Sequence, residues 1–134
     1  MRNSETLLPQ DIYEAHLKTI NNIKFTRREI DVISFFIHGR SPKKIASFLS
    51  IAPKTIENHT RNIMLKLECN SRESIIDFIE KSYKLQPLRS YYSSLLIQSA
   101  FEEVLQKASV LIKREASSCH IIYGGEKETQ DPWF

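Results

Sequence analysis

Residues 41–67 read SPKKIASFLSIAPKTIENHTRNIMLKL, two helical patterns with a three-residue break between them. Ser41-Pro42 opens the first with a cap residue and then a proline, whose fixed φ and missing N–H suit the first helical position. That helix is short, ends near Ser50, and turns Ile45, Phe48 and Leu49 inward with Ala46 beside them. Ser50, Ile51 and Ala52 form the turn, and Pro53 starts a longer helix running to about Leu67. At about 100° per residue, Ile56, Thr60, Ile63 and Leu67 line one face of it, with Met64 at the edge. Lys54, Glu57, Asn58 and Arg61 line the opposite face. A short helix, a tight turn and a longer helix make a helix-turn-helix.

The polar face carries the chemistry. Arginine takes a guanine edge bidentately, asparagine takes an adenine edge, and glutamate accepts from cytosine, so Glu57, Asn58 and Arg61 are candidate base readers. On an isolated helix the same face would be ordinary solvated surface, and the supporting helix and turn in front of it give it the other meaning. Net charge over the whole chain is a mild +3, but it is unevenly placed. From Lys24 to Lys84 twelve Lys and Arg meet seven Asp and Glu, a net of +5, and the flanks together carry −2. Arg40, Lys43, Lys44, Lys54, Arg61 and Lys66 all fall in the helix-turn-helix unit, opposed only by Glu57. Cations so placed suit a phosphate backbone, fixing register without reading sequence.

Outward from this unit the pattern stays helical. Three glycines and five prolines in 134 residues leave few tight turns for an all-β fold. Upstream, Thr26 and Glu29 make a capping box flanked by Phe25 and Ile30 as a hydrophobic staple. Ile30, Ile33 and Ile37 form a stripe beside Val32 and Phe36, and Gly39 closes the helix. Before it, Ile12, His16, Ile20 and Ile23 predict a short helix between Pro9 and the Asn21-Asn22 break, after a frayed start over residues 1–8.

Downstream, Ser71 caps a fourth helix that continues to about Leu85, where Gln86-Pro87 ends it. Its Ile75, Ile76, Phe78 and Ile79 make a band wider than one core face needs. This is either a single buried stripe with an exposed residue or two, or a contact between two copies. A fifth helix from about Ser90 to Ala116 repeats Ile97, Phe101, Val104, Ala108 and Leu111 at 4-3-4-3 spacing, widened by Leu96, Leu105 and Ile112. It folds back on the domain, pairs with its own copy, or begins a further domain. Residues 24–85 are expected to fold without it. A tail from Ser117 holds His120-Ile121-Ile122-Tyr123, Gly124-Gly125 and a terminal Trp133-Phe134.

The run Phe25-Thr26-Arg27-Arg28-Glu29, followed by Gly39-Arg40-Ser41-Pro42-Lys43-Lys44-Ile45-Ala46, resembles the LuxR-type (LuxR/FixJ/NarL) helix-turn-helix family. The resemblance continues through Leu49-Ser50-Ile51, Lys54-Thr55-Ile56-Glu57-Asn58-His59, Arg61-Asn62-Ile63, Lys66-Leu67 and Ser71-Arg72. It covers about 60 residues and implies an all-α fold, a four-helix domain over residues 24–86. A short helical extension precedes it over 1–23, and a helical extension and tail follow over 87–134. It implies a bacterial regulator of transcription that binds double-stranded DNA, often as a homodimer meeting through the fourth helix, with RNA polymerase as a further partner. By position it sets Glu57, Asn58 and Arg61 at base edges in the major groove. Ser41, Lys43, Lys44, Lys54, Thr55, His59 and Lys66 would hold phosphates, and Ile75, Ile76, Phe78 and Ile79 the dimer contact. His59 is equally well read as a structural hydrogen-bonder. Two positions depart from the family. Ala52 stands where a serine is usual, removing a side-chain cap valued at about 1 kcal/mol, and Thr60 stands where an apolar residue is usual.

Other classes find little support. There is no glycine-rich phosphate loop, no carboxylate pair beside a histidine, and no metal-ligand cluster among His16, His38, His59 and His120, so neither an enzyme nor a cofactor or metal is expected. Cys69 and Cys119 lie far apart and are expected to be reduced thiols. The longest apolar stretch, Val32 to Ile37, is too short for a bilayer, and a cytoplasmic setting is expected. The competing reading is a protein-interaction module built on the same helices, but Asn58 and Arg61 stand where such a surface would favour aromatic and apolar anchors. The 23 residues before Lys24 are too few for a receiver or sensor domain, so the chain is read as a stand-alone regulator or a fragment whose sensor lies beyond Phe134.

Overall fold

A computed structural model describes the backbone of residues 8–123 and the side chains of residues 8–114. The expected frayed start up to residue 7, Cys119, the side chains of the run 120–123 and the tail to Phe134 lie outside the described residues. The chain divides into two compact units, Met1–Leu96 and Ile97–Phe134.

The first unit is organised around α2 (Arg27–Ile37). Thr26 accepts from the Glu29 N–H at 3.1 Å, Glu29 accepts from the Thr26 N–H at 2.9 Å, and the expected capping box is in place. Every residue from Glu29 to Phe36 is buried, so α2 reaches solvent only at its ends, chiefly through Arg28. Gly39, at φ +73°, ends the helix in the left-handed region. α3 (Pro42–Leu49) begins where Ser41 accepts from the Lys44 N–H, and α4 (Pro53–Leu67) follows the short turn. α5 (Arg72–Lys81) is capped by Ser71, which accepts from the Ser74 N–H.

Three boundaries differ from the sequence reading. The N-terminal segment is not one short helix. α1 (Pro9–Ile12) widens into a π turn, Tyr13–Leu17, and then a minimal hairpin pairs β1 (Thr19–Ile20) with β2 (Ile23–Lys24). Asn21 and Asn22, at φ +51° and +67°, make the two-residue turn, a conformation asparagine tolerates. His16 is exposed while Tyr13 and Leu17 point inward. Ile12, Tyr13, Leu17 and Ile20 all enter the core, and the Tyr13 hydroxyl donates to the Phe25 carbonyl at 2.6 Å. Residues expected to form an extension are thus part of the packed unit.

The second difference is at the end of α5. It stops at Lys81 rather than near Leu85, because Tyr83 takes a left-handed conformation at φ +61°. The third follows from it. Pro87 does not end a helix but sits in the first turn of α6 (Leu85–Tyr123), where the N–H that proline lacks would have had no intrahelical acceptor.

The start of α6 is core. Leu88, Tyr91, Tyr92 and Leu95 are buried with the rest of the unit. The Tyr91 hydroxyl donates to Asp31 and accepts from Arg27 Nε at 2.8 Å. Arg28 holds the other oxygen of Asp31 at 2.8 Å. Burial pushes the Asp31 carboxyl above its usual range, against the pull of Tyr91 and Arg28. Burial and the Asp31 charge push the Tyr91 phenol upward as well, so it stays a protonated donor. Tyr92 stacks on the His38 ring at 3.8 Å, meets Phe35 edge-on at 5.1 Å, and its hydroxyl accepts from Arg40 Nε at 3.0 Å. The expectation that residues 24–85 have a complete core is therefore corrected: α2 needs these turns of α6 to cover it.

Tyr91→Phe leaves an oxygen of buried Asp31 without its donor and should cost about 1–3 kcal/mol. Tyr92→Phe, whose hydrogen-bond partner is exposed, should cost less than about 1 kcal/mol. Urea unfolding of the two variants gives the order. A chain ending at Leu96 should unfold cooperatively, whereas one ending at Pro87 should not.

Candidate nucleic-acid interface

The turn before α4 is built from backbone. Ser50 adopts φ +58°, and the Ile51 N–H returns to the Ala46 carbonyl at 3.1 Å, closing α3. Ala52 gives α4 no side-chain cap; the Thr55 N–H bonds the Ala52 carbonyl at 2.9 Å and Pro53 occupies the first helical position. Ile45 and Ala46 of α3 and Ile56 and Ile63 of α4 are buried, which fixes how α4 is rotated about its axis. Thr60, unexpected on that side for its polarity, donates its hydroxyl to the Ile56 carbonyl at 2.8 Å and adds no unmatched group.

The opposite side of α4 is open. Lys54, Glu57, Asn58 and Arg61 are all exposed, as the periodicity predicts. They are paired only with one another. Lys54 Nζ lies 3.7 Å from a Glu57 oxygen, and Arg61 donates to Asn58 Oδ1 at 3.1 Å. Exposed pairs of this kind contribute less than about 1 kcal/mol, so these groups exchange readily for a ligand. Leu65, 70% exposed, extends the same face one turn further, which the sequence reading missed.

The expected phosphate holders separate into groups. Lys43 and Lys44 are exposed in the first turn of α3, and Ser41 is exposed with its hydroxyl oxygen used as the cap. Thr55 and His59 are half-buried on the flank of α4. Lys66 is engaged within the chain. Its ammonium donates to Glu29 at 2.7 Å and to the Lys24 carbonyl at 2.9 Å, and it lies 5.5 Å from the centre of the Phe25 ring. Glu29 is almost wholly buried, so this partly exposed cation ties α4 to the start of α2. Arg40 is likewise tied to Tyr92. Arg72, not singled out from sequence, donates to the Arg40 carbonyl at 2.8 Å and stacks its guanidinium over Phe36 at 4.4 Å.

On α5, Ile75 and Ile79 are fully buried in the chain's own core, and Phe78 is half-buried 6.5 Å from Phe25. Of the four residues that the resemblance gives to a dimer contact, Ile75 and Ile79 are thus taken up by the chain's own core, and Phe78 leans against it. Ile76, half-buried, is the outward member. Among the described residues no group of His, Cys, Asp and Glu could hold a metal ion, and no helix is long and apolar enough to cross a membrane. Cys69 is a free, half-buried thiol.

Residues 24–79 match the family of bacterial regulatory proteins, luxR family. The spore germination protein GerE of Bacillus subtilis is 37% identical over 51 residues, covering 38% of this chain and 69% of that protein. The chain belongs to the LuxR family. The nitrate/nitrite response regulator protein NarP of Escherichia coli is 45% identical over 47 residues, 35% of this chain and 22% of NarP. An uncharacterized transcriptional regulatory protein of Bacillus subtilis, YhcZ, is 40% identical over 58 residues, 43% of this chain and 27% of that protein. The chain thus spans between about a fifth and a third of the length of several relatives it matches. No solved structure matches it. This LuxR-family chain therefore carries the DNA-binding domain of a transcriptional regulator, which is not an enzyme family.

Because Lys66 is engaged internally, Lys66→Ala should lower stability by about 1–2 kcal/mol, discounted for its partial exposure. It should leave the salt dependence of DNA binding unchanged. Lys43→Ala should do the reverse, reducing that slope by about one at constant stability. Urea unfolding and a salt titration of a mobility shift separate the two.

Proposed function

We propose that this protein regulates bacterial transcription by sequence-specific binding to double-stranded DNA, with α4 in the major groove. One observation carries the reading: the outward face of α4 offers Glu57, Asn58 and Arg61 together, held only by weak surface pairs. Their donors and acceptors match cytosine, adenine and guanine edges respectively. Ser41, Lys43, Lys44 and Lys54, with Thr55 and His59 on the flank, take the phosphates on either side and set the register. Such work belongs in the cytoplasm, with RNA polymerase the machinery regulated.

Arg61→Ala should cost on the order of 1–3 kcal/mol and relax base preference at one position of the site. Selection of bound sequences from a random pool, run on both proteins, measures this. An unchanged motif at unchanged affinity would remove Arg61 from the reading face. A protein with no preference among DNA sequences, and equal affinity for an unrelated regulator, would favour the interaction-module reading.

The regulator acts as a homodimer in which α5 meets its copy through Ile76, while Phe78 holds the other side of the helix to the chain's own core. Ile75 and Ile79 support that face from beneath. Two half-sites about one helical turn of DNA apart would match such a dimer. Ile76→Glu should leave the domain folded, lower affinity for a two-half-site operator, and leave affinity for a single half-site as it was. Mobility shifts on the two probes decide it.

A further inference from the structure

Within the second unit, residues 97–114 are helical, and their apolar side chains are uncovered. Ile97 is 68% exposed, Phe101 61%, Val104 62%, Leu105 52%, Leu111 56% and Ile112 43%. From ordinary side-chain areas this is on the order of 700 Å² of apolar surface on one helix face, above the few hundred Å² a monomer usually leaves open. A helix gains most of its stability by burying such a face.

We infer that this face is a pairing surface for a second copy of the same chain, the two helices running parallel and in register; the inference extends the dimeric reading above. Area is the first argument. Two such faces together offer at most about 1,400 Å², which reaches the lower part of the roughly 1,200–2,000 Å² of a specific interface. Spacing is the second. Ile97, Phe101, Val104, Ala108 and Leu111 recur at four and three residues, the repeat that keeps one seam on a partner helix. Charge decides the direction. Lys107 and Arg114 flank the seam on one side, Leu105 and Ile112 on the other, while Glu102, Glu103 and Lys113 lie on the far side of the helix. In an antiparallel pair that keeps the stripe covered, like flanks meet. Lys107 would then face the second copy's Lys107 or Arg114, a repulsive arrangement. In a parallel pair unlike flanks meet, and the alkyl stem of Lys107 lies over the second copy's Ile112.

Sedimentation velocity of the full chain without DNA tests the pairing. The wild-type chain should be a dimer, and the Phe101→Glu, Leu111→Glu double variant should dissociate at least about 100-fold more readily. Circular dichroism and half-site binding should show the double variant's first unit intact. Direction is read by crosslinking in a background with Cys69→Ser and Cys119→Ser. Ala108→Cys should form an intermolecular disulfide under mild oxidation, and Glu102→Cys should not. A monomeric wild type, a double variant that remains dimeric, an assembly larger than a dimer, or crosslinking at 102 but not 108 would each overturn the inference. A dimer with the expected crosslink but no affinity for DNA would leave the pairing standing and strike the DNA-binding reading instead.

Discussion

Helix α2 is covered on every side from Glu29 to Phe36 and carries two carboxylates, Glu29 and Asp31, into that cover. A buried carboxylate is tolerated only when its oxygens are held by donors or cations. Glu29 is held by the Thr26 N–H and by Lys66 from α4. Asp31 is held by Arg28 and by Tyr91 from α6. The partners come from two other helices, so satisfying these charges also fixes where α4 ends and where α6 begins to pack. Hydrophobic contact alone would permit sliding along α2; a carboxylate with one matching donor does not.

The reading face depends on that fixing. Ile56 and Ile63 set the rotation of α4, and Lys66 pins its last turn to the start of α2. With both determined, Asn58 and Arg61 have one direction in which to point. The missing cap at Ala52 is made good by the proline at the first position and by backbone bonds in the turn. The arrangement also sorts the cations of the helix-turn-helix unit. Lys66 and Arg40, though partly exposed, are tied to Glu29 and Tyr92, whereas Lys43, Lys44, Lys54 and Arg61 remain toward solvent without such ties to other helices.

Much of the first unit needs nothing outside residues 24–79 to be recognised, and the family match covers that span. Its packing, however, also draws on Tyr13 and Leu17 before it and on Leu88, Tyr91 and Leu95 after it. The apolar side chains of α6 are accordingly of two kinds. Those from Leu88 to Leu95 are buried within the first unit, and the large ones described from Ile97 to Ile112 are bare.

Sequence by itself determined what neighbouring residues decide. Thr26 with Glu29, Ser41 with Pro42, Pro53, and Ser71 set helix starts through bonds spanning three residues, and α2, α3 and α4 run where those signals put them. The polar face of α4 was legible for the same reason, since periodicity is a property of the helix alone. Tertiary structure decided the rest, because it turns on partners distant along the chain. Lys66 looks like any cation beside a reading helix until Glu29, thirty-seven positions away, is placed against it. Ile75 and Ile79 cannot be told from Ile76 by type, only by which of them meets the core. Tyr83 ends α5 in a left-handed turn with no glycine to announce it, and that shift makes Pro87 the opening of α6 instead of a stop. Proline is compatible with either end of a helix, and which end it marks is settled by whether Leu88 and Tyr91 have a core to enter.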